Sequence, residues 1–190
     1  MDRANLVVCL SVIFIETFIG IRFRSYDPDK THSKAYFDRY YFWILGADIY
    51  VSFGIGIFLN RLFELPDIKY IAWKIIGILF VLFGYAIRLY SIHIMGKNFS
   101  IMLRVEDGQR LVTGGPYRYV RHPSYTGGLL ALSGIGILSG YWTVFVLLFL
   151  SVLSLQLLRI KNEESILTKS LPGYLEYQAL VTKKIIPGIL

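Results

Sequence analysis

The sequence predicts an all-α integral membrane protein. It should have about five transmembrane helices, the last two forming a helical hairpin, with a cytoplasmic loop and C-terminal tail folded on one face. Three observations carry this reading. Of the 190 residues, 55% are apolar and 17% charged, and the mean hydropathy is +0.53, whereas soluble domains are about one quarter charged. Apolar runs long enough for a hydrocarbon core about 30 Å thick recur along the chain. Basic residues collect beside alternate ends of those runs, as positive charge does on the cytoplasmic side of a bilayer. The same composition excludes a disordered chain, a coiled coil and a collagen-like repeat. The single cysteine, Cys9, excludes an intrachain disulfide framework.

The first run, Ala4 to Ile21, is interrupted only by Ser11, Glu16 and Thr17. No small-residue cleavage pattern follows it, so it reads as an anchor and not a signal peptide. The second, Tyr41 to Leu59, carries Asp48 as its only charge, and the third spans Ile71 to Ile94. Tyr125 to Leu158 then runs for 34 residues without a formal charge. One helix of that length would extend about 51 Å, too long even for a tilted span. Ser139-Gly140 breaks it into a hairpin of two shorter spans, and Gly127-Gly128 and Gly136-x-x-x-Gly140 allow close helix packing. Four spans with one re-entrant segment is the alternative.

Twenty Lys and Arg against thirteen Asp and Glu give a net charge of +7. Fifteen of the basic residues follow the first, third and fifth runs, and four lie on the opposite side. This count places the loop after the third run and the C-terminal tail together in the cytoplasm, with the N-terminus outside. The excess therefore reads as a topology signal and a contact with anionic membrane lipids, not as a nucleic-acid footprint. The chain is one membrane domain, 1–190. Residues 1–94 hold three transmembrane helices, and residues 95–190 form a core of loop 95–124, hairpin 125–158 and tail 159–190.

Polar chemistry must lie in the loop and the tail. Asp107-Gly108 and Gly114-Gly115-Pro116 mark turns, so the loop should fold compactly against the membrane. Pro123 suits the first turn of a helix, where a missing N–H is harmless. A helix starting there presents free N–H groups and a positive dipole end to an anion, with Arg121, His122, Ser124 and Tyr125 beside it. An ordinary basic membrane anchor with a proline start reads equally well. In the second cluster, Arg159 and Glu163 are four apart and share a helical face, which an ion pair at a solvated helix end would also explain. Glu16, Asp48 and Arg88 are intramembrane charges with no spacing that relates them. His32, His93 and His122 form no metal-ligand spacing, and Gly134-x-Gly136 lacks the rest of a dinucleotide fingerprint.

Residues 96–190 resemble the isoprenylcysteine carboxyl methyltransferase family and its phospholipid-methyltransferase relatives. The resemblance rests on Gly96-x-Asn98-Phe99, Leu111-Val112-x-x-Gly115-x-Tyr117 and Arg121-His122-Pro123-Ser124-Tyr125-x-Gly127. It continues through Arg159-x-x-x-Glu163-Glu164-x-x-Leu167, Pro172-Gly173-Tyr174-x-x-Tyr177 and Ile186-Pro187. The combination of R-H-P-S-Y with a following R-x-x-x-E-E is the specific part.

The resemblance implies an enzyme that uses S-adenosyl-L-methionine, enclosed by the cytoplasmic loop and tail, and a lipid-like or prenylated acceptor that enters from the membrane. It makes residues 95–190 the methyltransferase core. By the same resemblance Gln109, Arg110, Leu111, Val112 and Tyr117 line the cofactor pocket. His122, Pro123, Ser124 and Tyr125 hold the cofactor, Glu163 contacts it, and Arg159 is the catalytic arginine near the acceptor. Gln109-Arg110 departs from the His-Thr of some animal members, and the segment between Phe99 and Asp107 is shorter. Methylation of a carboxylate needs no general base, because the nucleophile is already ionised near neutral pH. It needs a dry pocket, alignment and a cation, and neither a metal nor nucleic acid is expected. The alternatives are phospholipid amine N-methylation, an NADPH-dependent sterol-type reductase and a non-catalytic membrane binding protein.

Overall fold

The structure is a computed structural model that describes residues 35–99, 105, 108–186 and 188. The expected first span, with Glu16, and Cys9 lie outside these residues. Within them the chain is helical. Helix α1 spans Ala35–Leu62, α2 Ile71–Met95, α3 Pro123–Leu138, α4 Trp142–Ser170 and α5 Tyr174–Leu180. Short 3-10 turns, η1 (Gly96–Asn98) and η2 (Gly115–Arg118), punctuate the loop between α2 and α3. Among the described residues, three helices are long and apolar enough to cross a membrane, within Trp43–Leu62, Ile71–Asn98 and Trp142–Ser170. Helix α3 is shorter, at 16 residues, or about 24 Å. Large apolar side chains remain exposed on the outer faces, among them Trp43 and Phe58 on α1, Leu82 and Phe83 on α2, and Leu150 and Leu158 on α4. Such a surface suits lipid and not water. The chain is an integral membrane protein.

The tightest seam joins α2 to α3, and glycine makes it possible. A Cβ added at Gly127 would lie 2.5 Å from the Gly84 carbonyl oxygen and 2.6 Å from the Arg88 nitrogen. At Gly84 it would meet the Ala131 nitrogen at 2.5 Å, and at Gly134 the Gly77 oxygen at 2.6 Å. In a bilayer, where burial of apolar surface drives helix association weakly, close backbone contact of this kind holds helices together. Gly136 similarly presses α3 against Phe145 of α4, while Gly140 serves the turn instead, with φ of +88°. The Ser139 hydroxyl donates to the Gly136 carbonyl at 2.6 Å and accepts from the Tyr141 N–H at 3.2 Å, closing that turn.

Helix α4 packs on α1 and α3 through Val144, Leu148, Val152 and Ile160, all fully buried. Asp48 sits in this α1–α4 contact, accepting a hydrogen bond of 2.9 Å from Ser151. Beyond Leu158 the helix continues unbroken to Ser170. Residues 159–170 therefore extend the bundle and carry Arg159, Glu163 and Glu164 on a rigid rod.

Candidate active site

The C-terminal end of α2, the N-terminus of α3 and the second half of α4 meet at one end of the bundle, and a cleft opens between them. The empty space there, including its open mouth and the solvent in it, is about 1240 Å³. One wall comes from the loop and tail: Asn98, Gln109, Arg110, Leu111, Val112, Tyr117, Tyr174 and Tyr177. The other comes from the helices: Tyr41, Leu45, Arg88, Gly128, Leu132, Gln156 and Arg159. Arg121, His122, Ser124, Tyr125 and Glu163 also line it. Every described residue that the resemblance assigned to the cofactor or the acceptor lines the cleft except Pro123, which is buried as the first residue of α3, whereas Asp48 lies in the α1–α4 contact instead.

Each segment is held by a specific contact. The Asn98 side chain accepts from the Arg110 N–H at 3.1 Å, and the Gln109 amide donates to the Asn98 carbonyl at 3.4 Å. These bonds clasp the returning loop to the end of α2. Tyr117 is buried and donates to the Ser91 carbonyl at 3.3 Å, while its own carbonyl accepts from the Tyr177 hydroxyl at 2.7 Å. Burial pushes the Tyr177 hydroxyl up to about 12. Burial, followed by the neighbouring carboxylates, raises Tyr117 and Tyr174 as well, so all three remain neutral donors at physiological pH.

The tail straps the motif that opens α3. The Arg121 and His122 N–H groups donate to the Lys183 and Lys184 carbonyls, both at 2.9 Å, and the Thr126 hydroxyl donates to the Ile185 carbonyl at 2.6 Å. Glu164 locks this arrangement from α4. It accepts from Arg121 Nε at 2.7 Å and from His122 Nε2 at 3.2 Å, with Lys184 Nζ at 3.8 Å. Because a carboxylate only accepts, the His122 ring donates through Nε2. Arg121 also donates to the Val181 carbonyl at 2.6 Å. Its guanidinium is thus committed to the fold.

Glu163, one residue earlier, turns toward the cleft. It accepts from the Tyr125 hydroxyl at 2.8 Å and lies 3.9 Å from His122 Nδ1. Arg159 is 3% exposed, and its guanidinium carbon sits 4.2 Å above the Tyr41 ring, a cation–π contact suited to a desolvated cation. Arg88 reaches the same space from α2 and donates from Nη1 to the Ser124 carbonyl at 3.1 Å.

Sequence reasoning left several lining residues unassigned. Arg88 carried a signal, an arginine inside an apolar run, as did Gln156, a lone amide in the uncharged stretch. Tyr41 carried none, because a tyrosine at the start of a span reads as an interfacial anchor. Glu164 could not be separated from Glu163 without knowing the helix phase.

The sequence profile of the isoprenylcysteine carboxyl methyltransferase family matches residues 75–169, which contain α3 and nearly all of α2 and α4. A protein-S-isoprenylcysteine O-methyltransferase of Xenopus laevis is 43% identical over 65 residues, covering 33% of this chain and 23% of its own. One from Dictyostelium discoideum is 29% identical over 177 residues, covering 86% of this chain and 69% of its own. The solved structure of a eukaryotic intramembrane Ras methyltransferase, ICMT, superposes with a TM-score of 0.61 at 29% identity, covering 84% of this chain and 54% of that one. The chain thus spans about half of the solved relative and about a quarter of the Xenopus laevis one. The matched segment carries both polar clusters of the cleft and the glycine seam that sets them side by side, and on this ground the chain belongs to the isoprenylcysteine carboxyl methyltransferase family.

Proposed function

We propose that the chain is an integral-membrane methyltransferase that uses S-adenosyl-L-methionine to esterify the carboxylate of a prenylcysteine or similar lipid-like acceptor. The observation that carries this reading is the convergence of Arg159 and Glu163 with the Arg121–Tyr125 motif on a single cleft. The cleft's donor set fits the cofactor. A zwitterionic amino-acid portion needs an acid and a hydrogen-bond donor close together. Glu163 supplies the acid. Tyr174, buried, with a hydroxyl that has no hydrogen-bond partner within the protein, supplies the donor. Gln109, Arg110, Leu111, Val112, Tyr117, His122, Ser124 and Tyr125 form the surrounding walls, and Pro123 sets the helix start behind them.

When bound, S-adenosyl-L-methionine would supply an electrophilic methyl group for an acceptor oxygen, with a neutral thioether as the leaving group that keeps the electron pair of the broken C–S bond. No proton moves, so the chain needs no base. Its own tasks are to exclude water, to orient the acceptor and to hold the acceptor's negative charge in line. Arg159 performs the last of these, since its planar fork engages both oxygens of a carboxylate. The bundle wall of the cleft, built from α1, α2 and α4, admits the acceptor's lipid chain from the bilayer.

The topology belongs to the same proposal. With the expected run Ala4 to Ile21, which lies outside the described residues, α1, α2 and a hairpin of α3 and α4 would make five crossings, with residues 95–190 as the catalytic core on the cytoplasmic face. The decisive experiment is transfer of labelled methyl groups from S-adenosyl-L-methionine to N-acetyl-S-farnesylcysteine by the purified protein in lipid nanodiscs. Base-labile label in that acid supports the reading. Label appearing only in phosphatidylethanolamine would replace it with amine methylation.

A further inference from the structure

Gln156 is a polar group of the cleft that the proposed chemistry leaves unused. It lies on α4, in the membrane-spanning part, and is 3% exposed. It lines the cleft, and its side-chain oxygen Oε1 finds no hydrogen-bond partner in the protein. A carbonyl oxygen buried among helices is costly to leave unpaired, so this atom calls for a donor from whatever occupies the cleft.

Its position says which part of a ligand can supply that donor. Gln156 precedes Arg159 by three residues on a continuous helix, so the two side chains are neighbours on one face. It lies seven residues before Glu163, about 10 Å back along the helix axis and deeper between the helices. Across the cleft, the backbone of α3 at Gly128 brings it near Arg88. A Cβ at Gly128 would stand 3.2 Å from Arg88 Nη1 and 3.5 Å from Gln156 Nε2. The amide therefore sits at the arginine end, one helical turn from the cation assigned to the acceptor carboxylate and away from the Glu163 end assigned to the cofactor. A simple lipid acid carries oxygen acceptors and no donor near its carboxylate, so it does not supply the hydrogen that the Gln156 oxygen lacks.

We propose that Gln156 is a specificity-determining residue: its side-chain carbonyl accepts a hydrogen bond from an N–H located next to the acceptor carboxylate. Gln156 and Arg159 together read an amide N–H and a carboxylate separated by one carbon, and Gln156 disfavours lipid acids that lack the N–H. This rests on the assignment of Arg159 to the acceptor carboxylate. A pocket built to receive an N–H discriminates strongly against an analogue without one, because the buried oxygen is then left unpaired.

The test compares N-acetyl-S-farnesylcysteine with S-farnesylthiopropionic acid, the same acid with the acetylamino group replaced by hydrogen. The full chain in nanodiscs should show a kcat/KM for the first about 10- to 100-fold above the second. Gln156→Met, similar in length and without the acceptor oxygen, should bring the two within about threefold by lowering the first alone. Equilibrium binding of the two acids, measured without methyl donor, should show the same contraction in the ratio of their Kd values. Equal losses on both acids, or no preference in the unmodified protein, would overturn the role of Gln156. If the variant fails to fold, the preference of the unmodified protein still decides. Methylation of neither acid by the unmodified protein would instead overturn the reading on which this one rests, and this one with it.

Discussion

At the residue scale, the two glutamates at the end of the R-x-x-x-E-E motif divide the work. Glu164 holds Arg121 and His122 in place, whereas Glu163 faces the cleft with one bond from Tyr125. Glu163→Ala should therefore weaken binding of S-adenosyl-L-methionine by about 1–3 kcal/mol, the usual cost of a lost charged hydrogen bond, while the fold persists. Glu164→Ala should lower the thermal midpoint, because it leaves two buried donors unpaired. Calorimetric titration and thermal unfolding of the same two proteins separate the roles, and the reverse pattern would exchange them. Arg159→Ala should leave cofactor affinity nearly intact and reduce turnover by about two to four orders of magnitude through lost alignment. Arg159→Lys should recover little of it, since a point charge lacks the fork. Full turnover in the lysine variant would remove Arg159 from the acceptor site. Tyr177 carries a pH prediction. Its hydroxyl ordinarily titrates near pH 10 and is raised to about 12 here, so the neutral form is favoured in the folded protein. The stability it contributes is fully present below about pH 10 and is lost as pH rises through about 12. Tyr177→Phe should lower stability by about 1 kcal/mol at pH 7 and flatten the fall between pH 10 and 12, as read from unfolding midpoints across that range.

At the element scale, glycine decides which helices touch. The seam of Gly77, Gly84, Gly127 and Gly134 brings α2 and α3 into backbone contact, and this contact carries Arg88 to the start of α3. Gly127→Leu should destabilise the protein by about 3 kcal/mol or more, since its first carbon already collides with the Gly84 and Arg88 backbones and overpacking costs rise from there. Gly46→Leu on α1, where an added Cβ meets nothing within 4 Å, should be nearly silent. Thermal unfolding of the two variants in the same lipid checks the contrast, and equal midpoints would show that the seam carries no strain. Part of this was legible beforehand. Gly127 and Gly136 stood out as small residues in an apolar run, and Ser139-Gly140 as its break. The partners of those glycines were not legible, because a spacing of small residues marks a contact face without naming the helix that meets it.

At the scale of the whole molecule, α1 and α4 cross the bundle so that the α2–α3 loop and the tail fall at the same end. The charge count is the ground on which we propose that this end faces the cytoplasm. A reporter fused after Leu190 should be active only when it functions in the cytoplasm, and activity confined to the outside would invert the assignment. What the sequence determined by itself was the class of protein and the segments that come to line its cleft. Apolar runs and basic flanks mark a helical membrane protein because a bilayer demands internally bonded backbone and sorts charge by side. The spaced Arg121–Tyr125 and Arg159–Glu164 clusters marked the polar face because few such residues are tolerated beside so much apolar surface. What only the tertiary structure decided was how those clusters face one another. Tyr41, Arg88 and Gln156 come from three helices, and each joins the cleft through the rotation of its own helix about its axis. Rotation follows from side-chain packing across the seams, a property of pairs of segments, whereas hydropathy and charge are properties of each segment alone. For that reason Glu163 and Glu164, adjacent in sequence and identical in chemistry, acquired different roles only once α4 had been packed against α3 and the tail.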